Sequence, residues 1–268
     1  MAAVRQGKVA IFGAGGPVGA TAAEALRDHY TLRLTDLRPI ESILEAGKPQ
    51  STGAPMPIAP TTPHEWVSVD VTDYEQVRAA AEGMDALINV SVLRPVLAPA
   101  FGVNTVGAYN VMRAAVECGI KRVIHTGPRH TRLGFEGDYY ADFGVPDEVP
   151  LHPGSDLYAL TKYLGGEIVR VFAEYHQIEV VTFLYCAFRP SDQPSTPDGS
   201  GLHPFSIAWE DTGEPFLHAL RTDKLTSLYE VIDICAPLPH RKYGTDKAER
   251  ILGWKPKHTF DRLVRRDI

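Results

Sequence analysis

Between Lys8 and Leu184, short runs rich in Val, Ile and Leu alternate with longer stretches whose apolar residues recur at helical spacing. This alternation narrows the possible folds more than any other feature of the chain. It predicts strands at Val9–Phe12, Thr31–Thr35, Trp66–Val69, Ala86–Val90, Arg122–Thr126 and Val180–Leu184. Between them, Val18/Ala22/Leu26, Val103/Gly107/Val111/Ala114/Cys118 and Leu160/Leu164/Ile168/Phe172 each lay one apolar stripe on a sheet. Successive βα units of this kind give parallel strands, so the expected fold class is α/β, a doubly wound parallel sheet with helices on both faces. A chain of 268 residues, 44% of them hydrophobic, has material for one large core. We expect a single domain over 1–268, with 185–245 contributing a small C-terminal substrate-binding part.

Two segments crowded with Pro, Gly, Ser, Thr and Asp, Arg38–Pro63 and Ser191–His203, read as surface loops. The second follows the last predicted strand. Ligands of open parallel sheets sit beyond the carboxyl ends of the strands, which makes Tyr185–Trp209 a candidate substrate wall.

After the first strand, Gly13-Ala14-Gly15-Gly16-Pro17-Val18-Gly19 sets glycines at its first, fourth and seventh positions and leads into a helix. A diphosphate must approach backbone N–H groups at a helix N-terminus, where side chains would block it. Gly13 and Gly16 leave that clearance, and Gly19 permits close helix–strand packing. Pro17 suits the first helical turn, where its missing N–H costs little. An ordinary turn can carry the same glycines, so the acid at the end of the second strand adds weight. Asp36 lies 17 residues past Gly19, near the offset of ~20 for a residue that accepts hydrogen bonds from ribose hydroxyls. This is the pattern of a Rossmann-type dinucleotide site. A carboxylate there repels a 2′-phosphate, so NAD is expected over NADP, and Arg38 is the one feature that could accommodate NADP. Asp70, at the end of the third strand, can bond an adenine amino group or simply end the strand. Asp73, with Gln76 three residues on, has the pattern of a helix cap.

Tyr158 and Lys162 stand four residues apart on one predicted helical face, where an ammonium can lower the phenol's pKa and make it a usable base. Tyr243 and Lys247 repeat the spacing. Position separates the two pairs, because Tyr158 opens the helix after the fifth strand, within reach of the strand ends.

Together, the glycine loop, Asp36, Asp70, Asn104 in the stretch Val103–Val111, the Tyr158/Lys162 pair and Gly253-Trp254-Lys255-Pro256 resemble an extended short-chain dehydrogenase/reductase of the NAD-dependent epimerase/dehydratase family over nearly the whole chain. The short length, the stretch Leu151–Tyr158 and His130-Thr131 are most similar to uronate dehydrogenases, which oxidise a sugar acid at C1. The resemblance implies NAD as cofactor. Its contacts would come from Gly13, Gly16, Pro17 and Val18 in the glycine loop, from Asp36, Leu37, Asp70 and Val71 after the second and third strands, and from Val90, Ser91 and Val92 after the fourth. It implies that Tyr158 takes the proton of a substrate hydroxyl while Lys162 bonds the nicotinamide ribose and tunes Tyr158. Asn104 would serve local backbone and water structure, or be a buried structural amide. It also implies a homodimer that pairs the helix near Asn104 and the helix of Tyr158 with their symmetry mates.

The chain departs from that pattern at two places. The family sets a catalytic Ser or Thr two residues beyond Thr126, where this chain has Pro128, which cannot donate a hydrogen bond. Thr126, on the same face of the strand, is the candidate substitute. Uronate dehydrogenases also hold the substrate carboxylate with an Arg before the tryptophan matching Trp209, yet Ser191–Ala208 contains no Arg or Lys. Arg129 or Arg189 can replace it, or be plain surface charges. Ser91 and His130 complete the substrate-side candidates, His130 with a structural role as the alternative.

The remaining classes are bounded by composition. A net charge of −6 with no long basic run argues against nucleic acid. No stretch reaches the ~20 apolar residues of a membrane span and the first residues lack a signal-peptide core, so a cytoplasmic location is expected. Cys118, Cys186 and Cys235 form no CxxC arrangement; neither disulfide nor zinc is expected, and they read as small buried apolar side chains. The leading expectation is an NAD-dependent oxidoreductase acting on a hydroxyl of a small sugar-like or sugar-acid substrate. A sugar epimerase that retains its NAD, and a catalytically impaired NAD-binding sensor, are the alternatives.

Overall fold

A computed structural model describes residues 3–47, 53–94, 96–133, 149, 151–192, 203, 205–223, 225–238 and 244–261. In chain order its strands are β1 (Lys8–Phe12), β2 (Thr31–Asp36), β3 (Glu65–Ser68), β4 (Ala86–Asn89), β5 (Arg122–Pro128), β6 (Glu179–Tyr185), β7 (Ala187–Arg189), β8 (Ser206–Ala208) and β9 (Tyr229–Asp233). Seven of them make one parallel sheet in the order β3-β2-β1-β4-β5-β6-β9, and β7 and β8 pair separately. The chain winds outward one way from β1 through β2 to β3 and the other way from β4. The crevice at the carboxyl ends of β1 and β4 is therefore the topological switch point of a Rossmann-type fold.

The period-2 alternation of each strand sorts the core into two layers. Val9, Ile11, Leu32, Leu34, Ile88 and Phe183 pack with α1 (Pro17–Leu26) and with Phe216, Ala219 and Leu220 of α8 (Glu214–Arg221). Ala10, Phe12, Leu87, Val123 and Val180 pack on the opposite layer. That layer holds α3 (Tyr74–Ala81), α5 (Gly107–Glu117) and α7 (Leu157–His176). Helices on both faces are thus present as expected.

The remaining helices are α2 (Ile40–Ala46), α4 (Leu97–Phe101), α6 (His130–Leu133) and α9 (Lys247–Leu252), with a π-helical turn over Gly102–Val106. Three readings need correction. The expected loop at Arg38–Pro63 contains α2, which forms because Ile40 and Ile43 are buried despite the surrounding Pro and Gly. The seventh strand, β9, lies in a stretch with no alternation clear enough to announce it, because both its faces are covered and Glu230 is buried in an ion pair with Lys247. The deep face of α7 is not Leu160/Leu164/Ile168/Phe172, all of which are half-buried, but Ala159, Lys162, Gly165, Gly166, Val169 and Ala173. α7 lies so close to the π-helical turn that a Cβ on Gly165 would fall 2.2 Å from the Asn104 carbonyl oxygen. Small residues are required there, and the bulky row is pushed to the flank. Within 185–245, α8 and β9 belong to the layers of the main sheet, whereas Tyr185, Cys186 and Phe188 face a cavity at the strand ends.

Among the described residues no helix is long and apolar enough to cross a membrane, and no His/Cys/Asp/Glu group could hold a metal ion.

Candidate active site

The glycine loop crosses the carboxyl end of β1 under tight constraint. Gly13 has φ +88°, and a Cβ there would lie 2.7 Å from the Ser91 backbone nitrogen. Its role is thus close approach to the end of β4 as well as clearance. A Cβ on Gly19 would meet the Gly13 carbonyl oxygen at 2.5 Å, the close packing expected of it, while Gly16 faces open space up to 3.6 Å. Gly16 is the N-cap of α1 with Pro17 behind it, and no side chain caps the helix. The positive end of the α1 dipole is thereby left open to an anion. Asp36, the last residue of β2, accepts the Gly15 N–H at 3.2 Å and the Arg38 N–H at 3.3 Å. Gly15 was not singled out from the sequence, yet a Cβ there would lie 2.6 Å from Asp36 Oδ2. Arg38 Nε stands 3.6 Å from the Asp36 carboxylate, so this guanidinium is already paired with the acid that disfavours a 2′-phosphate. Bare turn, uncapped helix and strand-end carboxylate together fit a dinucleotide with free ribose hydroxyls.

Leu37 is exposed beside Asp36, and Val71 is buried. Asp70 accepts the Thr72 N–H and hydroxyl on one oxygen, a local turn at the end of the third strand. Asp73 caps α3, accepting from Glu75 N–H and Gln76 N–H as its spacing suggests.

Beyond β4, the segment from Val90 to Arg94 is held at two points. Asn104, buried in the π-helical turn, donates to the Leu93 carbonyl at 2.7 Å and to Thr161 Oγ1 at 2.9 Å, and accepts the Leu93 N–H at 3.1 Å. Lys162 Nζ donates to the Ser91 carbonyl at 3.3 Å. Asn104 therefore serves the local backbone. The Ser91 hydroxyl donates to Asn89 Oδ1 at 2.6 Å, so its proton is committed inside the protein.

Tyr158 sits in the first turn of α7, next to the N-cap Asp156, and it borders a cavity of about 270 Å³ at the strand ends. Val18, Val90 and Val92 line this cavity from the cofactor side; Tyr185, Cys186 and Phe188 line it from the side of the expected substrate wall. Phe188 stacks on Trp209 with ring centroids 4.4 Å apart. A larger hollow of about 640 Å³ lies beside α1, between Leu34, Leu217 and the segment 55–60, and includes neither Tyr158 nor Lys162.

Electrostatics corrects one expectation. Burial holds the Tyr158 phenol above its ordinary pKa, and the cation that opposes this is Arg94, by charge and by a side-chain hydrogen bond. The Arg94 guanidinium carbon lies 4.9 Å from the centroid of the Tyr158 ring. Lys162, expected to lower that pKa, is itself enclosed, and burial and then the charge of Arg94 bring its ammonium down to about 7. Its nitrogen is directed at the Ser91 carbonyl instead.

On the substrate side, Thr126 borders the cavity, but its hydroxyl donates to the Asn89 carbonyl at 3.2 Å. Pro128 ends β5 on the cavity wall. Arg129 is neither a surface charge nor a cavity residue: it is 3.1 Å from Asp233, with both side chains 3% exposed. Arg189 lies over the Phe260 ring, 5.7 Å from its centroid, and is likewise outside the cavity lining. His130 does border the cavity, and burial and then His203 push it down to about 4, so it is neutral. Its Nε2 lies 3.8 Å from Cys186 Sγ, and His203 Nε2 lies at the same distance. Burial pushes the Cys186 thiol up to about 12. Cys186 thus borders the cavity from within the stretch Tyr185–Trp209 expected to wall it. Arg94 was missed, although its place just beyond the fourth strand was the available clue. Tyr243 lies outside the described residues; Lys247 pairs with Glu230 at 3.1 Å.

A model of the NAD dependent epimerase/dehydratase family matches residues 9–189. The NAD-dependent glucose-6-phosphate dehydrogenase of Haloferax volcanii is 25% identical over 260 residues, covering 93% of this chain and 92% of that enzyme. The uronate dehydrogenase of Pseudomonas putida is 28% identical over 191 residues, 69% of this chain and 63% of that enzyme. The crystal structure of uronate dehydrogenase from Agrobacterium tumefaciens superposes with a TM-score of 0.75 at 20% identity, covering 97% of this chain and 89% of that one.

Proposed function

The chain belongs to the NAD dependent epimerase/dehydratase family, and from that premise we propose that it is a dehydrogenase that oxidises one hydroxyl of a small sugar bearing an acidic group, with Tyr158 as the base. The observation that carries this reading is one cavity bordered both by Val18 and Val90, beside the dinucleotide cradle, and by Tyr158 and Lys162. A small polar molecule placed there lies between the phenol and the cofactor side. The acidic group is suggested by the two relatives, whose names specify a sugar phosphate and a uronate.

When bound, NAD supplies the acceptor for the hydride lost from the hydroxyl-bearing carbon. The open N-terminus of α1 would hold its diphosphate, and Asp36 its adenosine ribose. Tyr158 Oη would accept the proton of the substrate hydroxyl. Lys162, anchored on the Ser91 carbonyl, would present its amine to the nicotinamide ribose. The apolar walls from Val90, Tyr185 and Phe188 exclude water, which strengthens each polar contact made inside.

Pro128 favours a second reading, an NAD-binding protein with little or no turnover. The hydroxyl nearest that position along the strand, Thr126, is committed to Asn89. A screen of sugar acids, sugar phosphates and neutral sugars for NADH formation separates the two. Turnover on an acidic sugar is the expected result; tight NAD binding with no turnover on any sugar would favour the second reading.

A further inference from the structure

The resemblance to uronate dehydrogenases leaves this chain without the arginine that those enzymes use for the substrate's charge, and neither replacement suggested by the sequence is in place. Arg129 is bound to Asp233 in the interior, and Arg189 lies outside the cavity. Among the described residues bordering the cavity the charged side chains are two cations, Arg94 and Lys162, and none is a carboxylate. Lys162 is 4% exposed and held by the Ser91 carbonyl. Arg94 is exposed, and a guanidinium stays charged at any ordinary pH.

The position of Arg94 is built into the fold. Asn104 binds both backbone groups of Leu93, the preceding residue, and Lys162 holds Ser91 two residues before that. From this fixed base the guanidinium is presented over the Tyr158 ring. Two cations facing one small cavity repel each other, and an anion entering it relieves that repulsion. The planar fork of Arg94 can bind a carboxylate or a phosphate through two parallel hydrogen bonds.

We propose that Arg94 binds the acidic group of the sugar oxidised at Tyr158, and thereby makes the site select acidic over neutral sugars. This rests on the reading of the cavity as a sugar dehydrogenase site. The test uses NADH formation by the intact protein with glucuronate, glucose 6-phosphate and glucose, three substrates with the same ring and C1 hydroxyl. Wild type is expected to prefer at least one acid to glucose. Arg94→Ala should lower the ratio of kcat/KM for that acid to kcat/KM for glucose by about 10- to 100-fold, mainly through KM, and Arg94→Lys should keep part of it. The acid whose ratio falls further identifies the anion as carboxylate or phosphate. If Arg94 acts only on Tyr158, acid and neutral sugars fall alike; an unchanged ratio, or a wild type that prefers glucose, overturns the assignment. Arg94→Gln replaces Arg94→Ala if thermal melting shows the latter unfolded. If wild type oxidises none of the three, the dehydrogenase reading fails separately. Calorimetry with glucuronate and with glucose 6-phosphate on the NAD-loaded protein then decides the role of Arg94. Binding of either acid about 10- to 100-fold weaker in Arg94→Ala supports it; equal affinity for both, or binding of neither to wild type, overturns it.

Discussion

In the proposed mechanism Tyr158 carries the most exacting demand on a single side chain, since its phenol would have to give up its proton where water is scarce. Burial raises its pKa and Arg94 pulls against that rise. The reactive form is the phenolate, so a raised pKa makes the base scarcer at neutral pH. kcat/KM for sugar oxidation should therefore rise with pH above neutrality and still be rising at about pH 10. His130, pushed down to about 4, adds no step in the range of an ordinary histidine, about pH 5 to 8. Tyr158→Phe keeps the ring and removes the exchangeable proton, so turnover should drop by roughly 10²–10⁴ while NAD affinity, measured by fluorescence titration, persists. Near-wild-type turnover in that variant would remove Tyr158 from the mechanism. The candidates Tyr158 and Lys162 could be read from their spacing on one helix, and Asp36 from its offset past the glycine loop. Arg94 and Gly15 could not, since what matters about them is a partner far away in the chain that only folding brings close.

At the scale of elements, the π-helical turn and α7 act together. Gly165 lets α7 approach the turn, and Asn104 uses the resulting contact to bind Leu93 and Thr161 at once. Asn104→Ala would strand the two backbone groups of Leu93 in a partly buried place. Unfolding in urea should show a loss of about 1–3 kcal/mol, and KM for an acidic sugar should rise as the backbone beneath Arg94 loosens. A stability within a few tenths of a kcal/mol of wild type would mean that water replaces the amide at little cost. Strongly periodic segments such as β1, α1 and β5 could be read directly from their apolar spacing. α2 and β9 could not, because burial of a few side chains by tertiary contacts, not local pattern, decides that they form. The deep face of α7 was misplaced for a related reason. Hydrophobic periodicity finds bulky residues, whereas a tight helix contact selects small ones.

For the molecule as a whole, the flank of α7 and the neighbouring π-helical turn and α5 leave apolar side chains at the surface. Val106, Tyr109, Val171 and Tyr175 are exposed, Leu160, Leu164 and Phe172 are half-buried, and Tyr109 meets Phe172 edge to face at 5.3 Å. A face of this kind on two adjacent helices suits a second copy of the chain. Sedimentation at micromolar concentration should give the mass of a homodimer, and Tyr109→Asp should shift it toward monomer; a monomeric wild type would refute the pairing. The sheet order bears on how such a chain is made. β6 is complete at Tyr185, but β9, the strand that covers its outer edge, begins only at Tyr229. A ribosome adding residues one by one must therefore leave Val180, Val181, Phe183 and Leu184 with an unpaired edge until Tyr229–Asp233 have emerged. During that interval the nascent protein is sticky, and slowing its production or cooling the culture should favour soluble over aggregated product.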